Sequence, residues 1–463
     1  MEVIHTETNR GNKCIVYNGF TYRKMYTLKS GDVVYRCSNQ KNCKASVTTD
    51  DKGIAIIRTR GEHDHEGNEL KAEVKQIRVR VRKRSENVTS SPSKLIRQDL
   101  QVHGELTLQP KDLKNVALSL YRERRKNQPK LPKNRTDVQD ALDDMQLITN
   151  KEENFLAKNC RQSEIVMFTC MSNLECLCQQ MKDIFIDGTF KFCPKFYYQL
   201  YTIHGCKNGN YIPLVYALLP SKTEACYLQM WSLVQELCRE RELIFTPESV
   251  HIDFEVAMHN SVRQAFPHAN IVCCRFHLGQ SMWRKIQTLA LSSLYKDKGS
   301  DIRKWLTLFF GMPFLPAEDI EDCFVDDMMS IAPEDEKCHQ FADYVLQTYV
   351  APEAKFPPHL WAAAPDATMK RTTNGPESFH AHLNEQFYSA HPSIFVFTDV
   401  IMKIQTVTYV KMRSIDTETP LRKTEKDRIE FLMEQNQKYS NGELTRLQFV
   451  KSVGYKFGAR TEM

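Results

Sequence analysis

The chain has 463 residues, 41% of them hydrophobic, which is enough to bury cores in two or three domains and excludes a disordered protein. Its net charge of +6 conceals an asymmetry, since residues 1–135 hold 29 Lys and Arg against 15 Asp and Glu, and the remainder 34 against 42. A basic first third ahead of a mildly acidic body concentrates phosphate affinity in one module, because cationic clusters gain by releasing counterions from nucleic acid.

The start, MEVIHTETNRGNK, lacks the apolar stretch of a secretory signal. No window approaches the roughly 18 uninterrupted apolar residues of a membrane span. The expectation is a soluble intracellular protein whose 15 cysteines are reduced thiols, a few of them metal ligands, and not a disulfide framework.

Residues 10–68 alternate in short strand-like runs, CIVYNGFTYRKMY, DVVYRC, KASVTT and GIAIIRTR, separated by turn signals such as KSGD and DDKG. This predicts a small β-rich module. Within it, Cys37 and Cys43 are followed by His63-Asp64-His65, two thiolates and two imidazoles suited to a closed tetrahedral zinc site. A module this small is marginal without such a staple, and zinc binding of about 10–16 kcal/mol would fix its fold.

Residues 69–149 read as a basic linker and a helical DNA-binding segment. RVRVRKRSENVTSSPSK carries Arg78, Arg80, Arg82, Lys83 and Arg84, and KDLKNVALSLYRERRK ends in Arg122, Arg124, Arg125 and Lys126. Both basic runs are candidates for phosphate contact, and the first also for a nuclear import signal.

From residue 150 the pattern turns to an α/β alternation extending to 295. DIFID, YYQLYTIHG and YIPLVYALLPS predict a three-stranded meander with CKNGN as a tight turn. A helix over 224–241, a strand SVHIDF, a helix over 255–266, a strand ANIVCCRFH and a helix over 278–291 follow. The order β-β-β-α-β-α-β-α is that of a ribonuclease-H-like fold. Residues 296–370 read as a helical insertion, and 371–463 as a helical part completing the core, opened by RTTNGPESFHAHLNEQF with turn and N-cap chemistry.

Asp187 and Asp253 each close a predicted strand, and in the inferred topology those strands lie side by side, bringing two carboxylates within reach of one hard cation, Mg²⁺ or Mn²⁺. Asp187 stands before Gly188, where a lone Asp would be a turn residue; a matching Asp at the end of a neighbouring strand changes that reading. Glu377 is the candidate third carboxylate because it opens a helix after the insertion, with Glu385 and then Asp366 as competitors. Cys274 and His277 form a Cys-x2-His element, too few ligands for a closed zinc site; they read as a core thiol with a satisfied imidazole, or else His277 helps position DNA or the catalytic segment.

The first module resembles a FLYWCH-type zinc finger in Asn18-Gly19-Phe20-Thr21-Tyr22, Tyr35-Arg36-Cys37, Cys43-Lys44-Ala45 and His63-Asp64-His65, with Tyr35 where that family has Trp. IDGTFK, HIDFEVAMHNSVRQAFP, CRFHLGQSMWRKIQ and TTNGPESFHAHLN together resemble a Mutator-like element (MULE) transposase. That resemblance implies metal-dependent cleavage and strand transfer at element ends by Asp187, Asp253 and Glu377, with a Cys-x2-His element close to the catalytic centre. It also implies double-stranded DNA partners, namely terminal inverted repeats and target DNA, a homo-oligomer and a nuclear location. The rival from another class is a domesticated derivative that binds DNA through its zinc finger and does not cut.

Overall fold

Alternating apolar and polar residues build six strands early in the chain: β1 (Ile4–Glu7), β2 (Lys13–Tyr17), β3 (Phe20–Thr27), β4 (Val33–Cys37), β5 (Ser46–Thr49) and β6 (Ile56–Arg60). The computed structural model describes residues 3–7, 12–86, 88–103, 108–127, 129–365, 374–418, 420 and 422–459, and the chain divides into two units, Met1–Pro132 and Lys133–Met463.

In the first unit the six strands pair in chain order as an antiparallel meander. Asn18 and Gly19 both take positive φ, 47° and 74°, the twist that a two-residue hairpin between β2 and β3 requires. One face buries Ile15, Tyr22, Tyr35, Ala45 and Val47 around Cys37 and Cys43. β1, ahead of the expected start at residue 10, pairs with β2 from Ile4↔Val16 to Glu7↔Lys13.

Three helices complete this unit, α1 (Glu69–Arg82), α2 (Pro92–His103) and α3 (Pro110–Asn127). Their shared core is Val74, Ile77 and Val81 from α1, Leu95 and Ile96 from α2, and Val116 and Leu120 from α3. Residues 78–82, expected as the start of a linker, are therefore the end of α1. The Val-Arg alternation of RVRVR conceals a helical spacing, because Ile77 and Val81 lie four apart on one face.

The second unit begins with α4 (Arg135–Asp143), β7 (Leu156–Cys160), β8 (Ile165–Phe168) and α5 (Met171–Gln180). The expected meander follows as β9 (Asp183–Thr189), β10 (Gln199–Lys207) and β11 (Asn210–Leu219), with Asn208 and Gly209 at positive φ in the tight turn. Then come α6 (Glu224–Arg239), β12 (Ser249–Ile252), α7 (Val256–Ala265), β13 (Asn270–Cys273) and α8 (Arg275–Thr288). The sheet order is β13-β12-β9-β10-β11-β8-β7, with β9, β12 and β13 mutually parallel. β7 and β8, which the sequence reading missed, extend the sheet beyond β11.

The helical remainder comprises α9 (Ser292–Lys296), α10 (Asp301–Gly311), α11 (Ile320–Asp322), α12 (Glu336–Val345), α13 (Asn374–Glu385), α14 (Ile394–Arg413), α15 (Lys423–Ser440) and α16 (Arg446–Phe457). One sheet face, with Phe168, Leu200, Tyr216 and Leu218, packs on Leu383 of α13 and Phe397, Ile401 and Tyr409 of α14. The other buries Ile184, Ile186 and Ile203 beneath Tyr227 and Trp231 of α6 and Leu278 of α8.

Of the stretch 371–463 expected to complete the core, α13 and α14 pack on one sheet face, while Leu432 of α15 and Phe449, Val450 and Val453 of α16 join the buried cluster that runs from the other face into the insertion. α16 crosses α10 of the insertion backbone to backbone, since a Cβ on Gly311 would lie 2.0 Å from the Val450 carbonyl oxygen and one on Gly454 2.3 Å from that of Thr307. No helix among the described residues is long and apolar enough to cross a membrane.

Candidate metal centres

The first centre lies between β4 and the loop after β6. β4 ends at Cys37, a short loop returns Cys43, and His63 and His65 follow β6. The four ligand atoms all lie within 4.8 Å of one another, with Cys37 Sγ 3.4 Å from His65 Nε2 and Cys43 Sγ 3.5 Å from His63 Nδ1. Each imidazole is held by its other nitrogen: the Tyr22 hydroxyl is 2.8 Å from His63 Nε2, and His65 Nδ1 donates to the Glu66 carbonyl at 3.2 Å. Such outer partners fix ring orientation and choose which nitrogen faces a metal.

Phe20 stacks on His63 with ring centroids 3.5 Å apart and covers one side. Burial, with help from His65, holds His63 below the usual imidazole value, which keeps its lone pair available. Burial and then the Cys37 and Cys43 sulfurs push the Tyr22 phenol up to about 12. Soft donors in a two-sulfur, two-nitrogen set with satisfied partners fit zinc.

The second centre forms at the carboxyl ends of three neighbouring parallel strands, the place where open α/β sheets receive ligands. β12 pairs with β9 at a constant offset, Ser249↔Asp183 through His251↔Phe185, which carried two residues further sets Asp253 level with Asp187. β12 pairs with β13 from Ser249↔Asn270 to Ile252↔Cys273, so the next step sets Cys274 beside Asp253. Three side chains capable of binding a cation thus stand level in one row, Asp187 within β9 and Asp253 and Cys274 just past β12 and β13.

Asp187 lies inside β9, which runs on to Thr189 against β10 alone. Its Oδ2 is 3.1 Å from His380 Nδ1 and its Oδ1 accepts from the Gly188 N–H at 2.8 Å. Burial raises this carboxyl, but the hydrogen bond and charge of His380, with His277 and the Gly188 N–H, outweigh it and hold the carboxyl below its usual value. His380 is itself held by Thr202, whose hydroxyl is 2.8 Å from Nε2. A Cβ on Gly188 would lie 2.7 Å from the Tyr201 ring, so only glycine fits after Asp187.

Asp253 is the costlier group. Its Oδ1 is buried without a hydrogen-bond partner, and burial followed by the Asp187 charge pushes the carboxyl up despite His277. Its carbonyl is fixed by His259 Nε2 at 2.8 Å. Two half-buried carboxylates that disfavour one another, one with a bare oxygen, suit a bound cation.

Glu377 arrives from α13, in the helix's first turn. Gly375, two residues earlier, lets the helix start close to the sheet, because a Cβ there would lie 2.1 Å from the Tyr211 ring. Glu377 Oε1 is 3.9 Å from Cys274 Sγ, and one ligand atom each from Cys274, His277 and Glu377 lies within 4.8 Å of the others. Cys274 occupies the N-cap position of α8 and His277 its first turn, so Cys-x2-His spans one turn and both side chains reach the same side. His277 is pushed up to about 9: burial lowers it, but the Cys274 sulfur and the Asp253 and Asp187 charges outweigh that.

Of the competitors for the third carboxylate, Glu385 ends α13, eight residues past Glu377, and Asp366 lies outside the described residues. His380 is the residue the sequence reading left without a role. It stands three residues after Glu377, on the same helix face, and Glu-x-x-His at that spacing is the signal that would have found it.

Residues 184–281 match the MULE transposase domain. The MULE match takes in Asp187, Asp253, Cys274 and His277, and supports a transposase-related function. Residues 5–65 match the FLYWCH zinc finger domain, which takes in all four ligands of the first centre and supports zinc and DNA binding there. No curated protein matches the chain.

The basic residues of the first unit separate into two groups. Arg80 makes a two-pronged ion pair with buried Asp99 at 2.8–3.1 Å, Arg82 lies 3.8 Å from Glu123, and Arg124 is buried and donates to the Ser90 carbonyl at 2.8 Å. Arg78 is partly buried. Lys83, Arg84, Arg122, Arg125 and Lys126 are exposed, Lys126 3.2 Å from Glu123.

Proposed function

We propose that the chain is a DNA transposase of the Mutator-like class, cleaving DNA and transferring strands at the ends of an element. The observation that carries this reading is the level register of Asp187, Asp253 and Cys274 across β9, β12 and β13, with Glu377 of α13 set against Cys274, in and next to the stretch that matches a MULE domain. The strand and helix order from β9 to α8, β-β-β-α-β-α-β-α, supports assigning this unit to the ribonuclease-H-like class.

In this reading Asp187, Asp253 and Glu377 would hold Mg²⁺ or Mn²⁺, which when bound would supply charge stabilisation for the attacking and leaving oxygens of a phosphodiester. His380 keeps Asp187 ionised and pointed, His259 anchors the Asp253 backbone, and Gly375 seats the helix that brings Glu377. Exposed Lys83, Arg84, Arg122, Arg125 and Lys126 contact phosphates of double-stranded DNA, while the FLYWCH finger supplies base recognition at the terminal inverted repeats. Two element ends call for a homo-oligomer, and the work takes place in the nucleus.

The test is a duplex carrying the element's own ends, incubated with the protein and Mn²⁺. Nicking or strand joining that Asp187→Asn removes without loss of DNA binding is the expected result. DNA binding by wild type with no cleavage under any divalent cation would overturn it in favour of a regulator that binds DNA through its finger.

A further inference from the structure

The carboxylate reading leaves two neighbours of Glu377 without a task. A hard-cation site needs oxygens, yet Cys274 and His277 bring a sulfur and a nitrogen to the same point. We propose that Cys274, His277 and Glu377 form a second transition-metal site, selective for Zn²⁺ over Mg²⁺ and separate from the finger.

Zinc held at about 2.0–2.3 Å by sulfur, nitrogen and oxygen keeps those atoms roughly 3.3–3.6 Å apart. The Cys274 Sγ to Glu377 Oε1 distance of 3.9 Å needs a few tenths of an ångström of closure, and a pair at the 4.8 Å limit on the three ligand atoms up to about 1.5 Å. Two ligands are fixed by one turn of α8, so the metal would have to recruit only the third, on α13. His277 Nδ1 is buried with no hydrogen-bond partner, leaving a ring nitrogen that the protein itself does not use. The sulfur decides selectivity, because thiolates bind zinc and cobalt and are poor ligands for magnesium. Three protein ligands leave the fourth position open to water or a phosphate oxygen.

The site has a consequence for α13. Glu377 and His380 share a helix face, so a zinc ion joining Glu377 to the start of α8 would also set how His380 meets Asp187. Glu377 would then serve both a soft and a hard cation. This inference rests on the ligand geometry and not on DNA cleavage, so a chain that never cuts would still carry the second zinc.

The experiment is metal analysis of the full chain after saturation with Zn²⁺ and removal of loosely bound ion. About two equivalents per chain are expected for wild type, about one for Cys274→Ser, and about one for Cys37→Ser, which loses the finger metal instead. Cobalt replacement gives a second readout, since the sulfur-to-cobalt absorption left in Cys37→Ser must vanish when Cys274→Ser is added. If Cys274→Ser does not fold by circular dichroism, Glu377→Gln on the other helix must lower affinity for the second zinc at least about tenfold. One equivalent in wild type, or two in both wild type and Cys274→Ser, overturns the proposal.

Discussion

The two candidate centres pose opposite problems with overlapping residue types. Around Cys37, Cys43, His63 and His65 the ligands are uncharged or soft, both imidazoles are held from behind by Tyr22 and Glu66, and all four lie within 29 residues of chain. Around Asp187, Asp253 and Glu377 the candidate groups are drawn from elements 190 residues apart, two are mutually repelling carboxylates, and one oxygen has no hydrogen-bond partner. The first arrangement is closed and structural. The second holds unsatisfied charge, which has value only where something is to be bound or transformed.

The comparison breaks first at the finger. Cys37→Ser or His63→Ala should remove a metal worth about 10–16 kcal/mol to a module of this size and unfold β1–β6. Loss of zinc together with loss of the strand signal in circular dichroism is the measurement; a sheet that survives without metal would make the finger cluster incidental.

Next in size is Asp187→Asn, expected to lower Mn²⁺-dependent cleavage on the order of 10³-fold with DNA affinity unchanged, as for loss of a group acting on transition-state charge. His380→Gln acts one step removed and should cost about 10- to 100-fold in kcat, the usual effect of an outer partner. Because His380 is the main influence lowering the Asp187 carboxyl, its loss lets that value rise, and the acid limb of the pH–rate profile should move to higher pH. An unmoved limb would reduce His380 to a packing residue.

Asp253→Asn should do the reverse of what core substitutions do. With metal chelated it should raise stability by about 1 kcal/mol, a few degrees in the melting of this unit, because it removes a buried charge lacking a partner. The sign follows from linkage: the Asp253 carboxyl is raised, so its ionisation costs stability as pH climbs through its folded value. Asp187 is depressed, so it contributes above about pH 4 and its share is lost as pH falls through its lower folded value. The Asp253→Asn gain should therefore be largest at neutral pH and vanish in acid, and added Mn²⁺ should stabilise wild type only.

The smallest contrast is within the basic runs. Arg84→Ala should lower the salt dependence of DNA binding by about one phosphate contact and leave folding alone. Arg80→Ala should instead remove the two-pronged ion pair to buried Asp99 and destabilise the helices by about 1–3 kcal/mol, with the DNA salt slope unchanged. Equal slopes for both variants would mean that burial does not decide which arginines reach DNA.

These contrasts also mark where sequence reasoning ran out. The strands themselves were readable in the β-branched runs DIFID and SVHIDF, and the Asn-Gly turn left little freedom to the meander, but β9 runs on past Asp187 to Thr189 and β12 stops at Ile252, ahead of Asp253. The His63 and His65 ligands stood out because local spacing carried them. β7 was not readable: LAKNC is half-buried throughout and shows no alternation. α1 was misread since Arg and Val alternate as they would in a strand or linker. Arg80 and Arg124 looked like phosphate contacts because charge says nothing of a partner such as Asp99 or the Ser90 carbonyl. The role of α16 depends on two glycines 143 residues apart, a pairing that only tertiary structure reveals.

Gly375 gives the second centre a weakness that its charged residues do not advertise. Any side chain there collides with Tyr211 and lifts the start of α13, displacing Glu377 and His380 in a single step. On the transposase reading, a copy of this gene released from the need to cut DNA could lose that function with all three carboxylates still in its text. Intact acidic residues are therefore poor evidence of a living element, and the glycine before Pro376 is the position at which inheritance would record the difference.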